Sequence, residues 1–279
     1  MKEPAANKFT HSHVVLEDGT VAFKCSADQD IWPWLALHPF DPIVVQTVNY
    51  WASVETSTAR GTWDPTKWSA LTQSDWTCGK SGANHPTHGV ADLIKEGENL
   101  RFQLTFFDKY GSLVYRMSGI GVVFQNRDFE SWRDKAKQQI TAPVMAEDFQ
   151  YAPANLVGVG SQNESFLSPL IDHHNPSAQA LITKENGFPP EHPFLSGSGD
   201  HVNSTHLADV ARQFLNLVLD GRPRLIIGGE MIFKRYVELG LPFHIALTQE
   251  DRSQNTISMA VQQSDHLCAT ITLKYSHEQ

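Results

Sequence analysis

The densest run of chemistry-capable side chains extends from Ser196 to His206, followed at short spacing by Asp209, Arg212 and Gln213. Asp200 and His201 set a carboxyl beside an imidazole, the pairing that takes up and returns a proton in general acid–base catalysis. Gly197 and Gly199 permit tight backbone turns just ahead of them. Asn203 or Ser204 suits a helix cap, so the run is expected to end on a helix N-terminus. Unpaired N–H groups and the helix dipole there favour a carbonyl oxygen or an anion. The chemistry read from these residues is polarisation of a carbonyl by the helix start, proton handling by Asp200 and His201, and orientation of a carboxylate or phosphate by Arg212. Asn203 and Gly199 would line the substrate.

Plainer readings stand beside these. Asp200 and Asn203 also suit a loop and a cap, and His206 reads as a packed or surface histidine. Asp209 and Arg212, three apart on a helix, also suit an ordinary surface pair worth about 0.2–0.5 kcal/mol. His38 precedes the first long helix as His201 precedes the second, which makes it a candidate substrate contact. His85 and His88 read as loop residues, and His173 and His174 as solvated ones. Trp32, Trp34, Trp51 and Trp76 suit core packing or the wall of an acyl pocket. Cys25, Cys78 and Cys268 are too dispersed for a metal set, so no metal is expected.

The elements that position these residues come as two similar halves. Each opens on a short strand (21–27 and 179–185), followed by a Pro-containing segment. A His-Pro-Phe triplet (38–40 and 192–194) then leads into a helix-like stretch (42–58 and 204–219). In the second helix Leu207, Val210, Ala211, Phe214, Leu215 and Val218 form one apolar stripe, and Gly221 and Pro223 end it. The first helix is rich in Val, Thr and Trp, poorer helix formers. Strand signals follow at 99–108 and 112–125 in the first half, and at 224–237, 242–251, 256–263 and 267–276 in the second. A long helix laid across a curved antiparallel sheet lets both bury one face. That arrangement predicts an α+β double hot-dog fold. Residues 1–137 would form the N-terminal repeat, 138–165 a polar linker, and 166–279 the C-terminal repeat.

Composition bounds the function. Of 279 residues, 41% are hydrophobic and 19% charged, enough apolar surface to offset the entropy of ordering the chain. A net charge of −9 without a Lys/Arg run argues against nucleic acid as a partner. No apolar stretch is long enough to span a membrane, and the N-terminus lacks a signal-like apolar core. An odd number of scattered cysteines suits a reducing compartment, so a cytoplasmic location is expected.

Residues 200–213 resemble the second-repeat motif of the A-factor biosynthesis hot-dog family, whose pattern runs Asp-His-Val-Pro-Gly, four mostly apolar positions, Glu, two small residues, Arg and Gln. Asp200, His201, Val202, Arg212 and Gln213 match without gaps. Asn203 and Ser204 replace Pro and Gly, and Asp209 replaces Glu. Asp41-Pro42-Ile43-Val44-Val45 resembles the first-repeat opening, after which Gln46 or Thr47 stands where that family has Glu, and Asn49 or Tyr50 where it has Arg. The resemblance implies transfer or condensation of an acyl group from an acyl carrier protein or a coenzyme A thioester, with Arg212 in the site. Gln46 would position substrate by hydrogen bonds, which it can do without serving as a base. No cofactor is implied beyond the substrate's carrier group, and a homodimer is compatible. His201 to His206 is also similar to a run in hot-dog thioesterases, which carry an Asp at the position of Gly197. Hydrolysis, 3-hydroxyacyl dehydration, or non-catalytic binding of an acyl carrier or ligand are the alternatives.

Overall fold

The computed structural model describes residues 7–64, 67, 69–80, 82–96, 99–123, 129–138, 148–186 and 201–276. The first half contributes β1 (Thr10–Val15), β2 (Val21–Cys25), α1 (Pro42–Arg60), β3 (Ser69–Cys78), β4 (His88–Glu96), β5 (Asn99–Phe107) and β6 (Leu113–Val123). Then come α2 (Phe129–Gln138) and α3 (Ala154–Val157). The second half contributes β7 (Ser177–Ala180), β8 (His201–Val202), α4 (Ser204–Val218), β9 (Leu225–Phe233), β10 (Val237–Glu238), β11 (Phe243–Asp251), β12 (Thr256–Gln263) and β13 (His266–Ser276).

Eleven strands form one antiparallel sheet in the order β1-β2-β4-β5-β6-β3-β9-β13-β12-β11-β7. From the seam β3·β9 outward, β3, β6, β5, β4 and β2 mirror β9, β13, β12, β11 and β7, so the halves are related by a pseudo-twofold axis. The seam is a backbone ladder running from Gln73 opposite Ile232 to Thr77 opposite Gly228. Gln73 Nε2 donates to Glu230 Oε1 across it at 2.8 Å. Each half supplies one long helix, and α1 packs against α4. This is the double hot-dog architecture expected from the repeats.

α1 forms despite its β-branched residues because its ends are fixed and its surface is buried. Asp41 caps it by accepting from Ile43 N at 2.9 Å. Pro42 supplies a preset first turn, and Gly61 closes the other end at φ 78°. Ile43, Val44, Val45, Val48 and Ala52 are buried on several sides, so tertiary packing overrides weak propensity. α4 opens on Asn203, whose side chain accepts from His206 N at 3.1 Å while His206 Nδ1 accepts from Asn203 N at 3.4 Å. His206 is thus a buried capping residue, matching its packed reading.

Three strands of the large sheet escaped the sequence reading: β1, β3 and β4. β3 gives no clear apolar alternation in sequence because one of its buried positions, Ser74, is polar. β1 is held from the side: Glu55 of α1 accepts from Phe9 N (2.9 Å), Thr10 N (2.6 Å) and Thr10 Oγ1 (2.6 Å). The expected linker, 138–165, carries α3, and α2 lies almost wholly ahead of it, in the stretch expected to belong to the N-terminal repeat. α2 docks on the second half through buried Arg133, which donates to both carboxylate oxygens of Glu238 at 2.6 and 2.9 Å. The second His-Pro-Phe triplet and residues 196–200 lie outside the described residues.

Candidate functional site between the two long helices

In each half, the segment leading into the long helix is clasped by the chain that leaves the first strand after it. His85, between β3 and β4, donates from Nε2 to Leu37 O at 2.9 Å. Val237 and Glu238 of β10 pair with Val202 and His201 of β8. The clasps place His38 ahead of α1 and His201 ahead of α4. His201 packs edge-on against Tyr236, ring centroids 4.5 Å apart, and Arg133 covers the Tyr236 ring at 4.3 Å.

Aligning the two helices on their caps, Asp41 and Asn203, resolves which first-half residues correspond to the second-half motif. Thr47 falls where α4 has Asp209, and Tyr50 where it has Arg212. The carboxylate and the cation therefore belong to α4 alone, and the pseudo-symmetry is chemically broken. Asp209 and Arg212 lie roughly 9 and 14 Å along α4 from its cap. There they fall within electrostatic range of Asp41 at the start of α1.

Asp209 is almost completely buried and fully used. Its Oδ1 accepts from Arg212 Nε at 2.7 Å, and its Oδ2 from Gln213 Nε2 at 2.9 Å. Arg212 also donates to Gly158 O at 3.0 Å. Gln213 reaches Glu164 O (2.9 Å) and accepts from Phe166 N (2.9 Å), and Asn216 donates to Val157 O at 3.0 Å. This one helix face thus straps residues 157–166 to α4. Gly158, at φ 69°, admits the strap: a Cβ there would lie 2.4 Å from Asn216 Nδ2. The guanidinium, with its side chain 16% exposed, is engaged chiefly by protein groups.

Asp41 is half-buried, and the described hydrogen bond of its carboxyl is the cap to Ile43 N. Burial pushes its carboxyl above the usual carboxylate range. The positive charge of Arg212 pulls it back, Asp209 pushes it up, and the Ile43 N–H and His38 lower it; the net direction is upward. Burial works against the charged form of Arg212, but Asp209 and Asp41 outweigh it and hold the guanidinium firmly protonated. His38 is exposed, and its Nδ1 accepts from Phe40 N at 3.1 Å. That bond places the ring proton of the neutral imidazole on Nε2. Burial of part of the ring lowers its pKa, with Asp41 opposing, so the neutral form is favoured. His85 is lowered too, first by burial, with the Leu37 bond opposing and His38 contributing.

Of the residues singled out by sequence, the structure groups Asp209 and Arg212 with the first-half Asp41. His38 lies within range of Asp41, and His201 and Asn203 sit at the far end of α4. Asp200 and Gly199 lie outside the described residues. Gln46 is buried in α1 with no hydrogen-bond partner for either amide atom among the described residues. The sequence reading took Asp41 only as the opening of a motif and His85 as a loop residue. Asp41-Pro42 ahead of an apolar run was the available signal for a capped helix start.

No family model matches the chain, and no curated protein matches it. Solved structures do. An acyl-ACP thioesterase from Bacteroides thetaiotaomicron superposes at TM-score 0.54 and 9% identity, over 92% of this chain and 97% of that one. The dehydratase domain of RzxB from Pseudomonas fluorescens gives 0.52 and 15%, over 96% of each. The 12:0-ACP thioesterase from Umbellularia californica gives 0.50 and 11%, over 84% and 89%. At these identities the likeness establishes the hot-dog fold and its near full-length coverage.

Proposed function

We propose that this chain transfers an acyl group, presented as a thioester on an acyl carrier protein or coenzyme A, to an oxygen nucleophile, with Asp41 as the proton-transfer group. The observation that supports this most is the half-buried Asp41 carboxyl, raised above its ordinary range at a helix start and within electrostatic range of the Asp209–Arg212 pair of the other half. A carboxyl shifted in that direction works as a base and as an acid nearer neutrality. Ionised Asp41 takes the proton of an acceptor hydroxyl as its oxygen attacks the thioester carbonyl carbon. The Nε2–H of His38 donates to the developing oxyanion. The carbon–sulfur bond then breaks, and the leaving thiolate takes the proton from Asp41. Arg212 and Asp209 set the charge felt by Asp41. With water as the acceptor the same steps are hydrolysis.

Dehydration of a 3-hydroxyacyl thioester is the second reading. It is favoured by the same single carboxyl, which would take the proton next to the carbonyl and return it to the departing hydroxyl. The deciding experiment measures thiol release from acyl-coenzyme A and acyl-carrier substrates, with and without a hydroxyl acceptor such as glycerone phosphate, for wild type, Asp41→Asn and His38→Ala. Acceptor-dependent release that is lost in Asp41→Asn supports transfer, and acceptor-independent release supports hydrolysis. A loss of water from the acyl chain without thiol release supports dehydration. A protein that does none of these refutes the enzymatic reading.

A further inference from the structure

Gln46 and Asn49 lie three residues apart in α1 and so share one face of it. They are 1% and 3% exposed. Among the described residues neither amide atom of Gln46 has a hydrogen-bond partner, and Asn49 Oδ1 has none. Asn49 Nδ2 makes one long contact, 3.5 Å, to Ser74 Oγ of β3. Ser74, Trp76 and Cys78 alternate onto the buried face of β3. Among the described residues the Trp76 Nε1–H is also without a partner, as is the buried hydroxyl of Tyr115, which stands opposite Cys78 on β6. Folded proteins leave few buried polar atoms unpaired, because each forfeits its hydration. The Gln46 and Asn49 amides on one face of α1 supply both donors and acceptors.

We propose that this interior receives an oxygen function carried along the acyl chain, so that the thioester handled here is oxygenated at a distance from its carbonyl and is not a plain hydrocarbon acyl group. The inference rests on the acyl-thioester reading and names its substrate class. Gln46 lies five residues beyond Asp41, roughly 7 Å along the helix. A hydroxyl or keto group several carbons past the reacting end would meet the Gln46 amide, which can both donate and accept. A saturated chain entering the same space would leave these atoms unpaired, and so would bind less tightly.

The test is calorimetric titration of the full chain with non-hydrolysable thioether analogues of decanoyl-coenzyme A. One analogue is unsubstituted, and the others carry a hydroxyl on the fifth, seventh or ninth carbon. At least one hydroxylated analogue is expected to bind roughly tenfold more tightly than the unsubstituted one, the scale of one or two net hydrogen bonds. Gln46→Leu is expected to equalise them while melting no lower than wild type. Gln46→Met, closer to the native shape, repeats the comparison if Leu disturbs the fold. Equal or tighter binding of the unsubstituted analogue overturns the inference and leaves the thioester reading standing; ordered water would then be the partner of these groups. A preference that survives in both variants also overturns it. Failure of every analogue to bind removes the thioester reading and this inference together.

Discussion

Asp41 and Arg212 belong to different halves of the chain, yet the charge of one acts directly on the titration of the other. Asp41 caps the first long helix; Arg212 sits mid-way along the second, fixed by Asp209 and by the carbonyl of Gly158. The arrangement separates the two demands on a proton-transfer carboxyl. Burial raises it, and a fixed cation limits how far. Because Asn caps helices about as well as Asp, Asp41→Asn removes the proton carrier and keeps the cap. Turnover is expected to fall by roughly 10²–10⁴-fold, with the melting temperature close to wild type. Steady-state kinetics beside thermal unfolding checks both halves of that statement.

The pH dependence of turnover should carry the signature of the pair. Transfer requires ionised Asp41, so activity should rise with pH through its raised pKa. Arg212→Ala removes the largest influence that lowers Asp41, leaving burial and Asp209 opposed only by the Ile43 N–H and His38. The rising limb is expected to move to higher pH in that variant. A kcat/KM profile in which the limb stays in place would show that Asp41 is not the titrating group.

The fold was largely legible in the sequence, and the site only partly. The repeat order and the apolar stripe of α4 are local patterns, and they specified the paired helix-on-sheet units. β3 escaped because a polar residue, Ser74, holds one of its buried positions and breaks the apolar alternation, and β1 because its attachment runs through Glu55, more than forty residues away in sequence. The Asp209, Arg212 and Gln213 pattern marked a real cluster, yet its partner could not be read from α4. Asp41 comes to it only through the packing of α1 on α4. The alternatives left open at Gln46 or Thr47, and at Asn49 or Tyr50, needed the caps as an origin for counting.

Stability should fall on the acid side through histidines. His13, His38, His85 and His244 are all lowered from 6.5, each first by burial. The unfolded chain therefore binds protons that the folded chain refuses, and stability rises with pH through the region below 6.5 and levels off above it. His85→Asn should make that rise shallower in urea denaturation followed from pH 5 to 8. An unchanged slope would discount His85 as a contributor.

Glu55 works as a latch for the N-terminal strand. Its carboxylate accepts two backbone N–H groups and one hydroxyl, in a setting where burial raises its pKa and those bonds oppose the rise. Glu55→Ala would leave buried donors unpaired at Phe9 and Thr10. The expected cost is about 1–3 kcal/mol. Hydrogen exchange should show β1 opening ahead of β2.

The Arg133–Glu238 pair offers a different kind of test, because removing both partners should cost far less than removing one. Both side chains are nearly inaccessible, and the geometry is bidentate. Glu238 stands opposite His201 in the β8–β10 ladder, and the Tyr236 ring touches both the guanidinium and the imidazole. Arg133→Met strands the Glu238 charge in the interior, an expected loss of about 3–5 kcal/mol. Arg133→Met with Glu238→Met replaces the pair with apolar contacts and should recover most of that loss, since paired buried charges offset little more than their own desolvation. Chemical denaturation of the two singles and the double closes the cycle. A double variant no more stable than the worse single would mean that the backbone contacts of Glu238, and the docking of α2, depend on the ion pair itself.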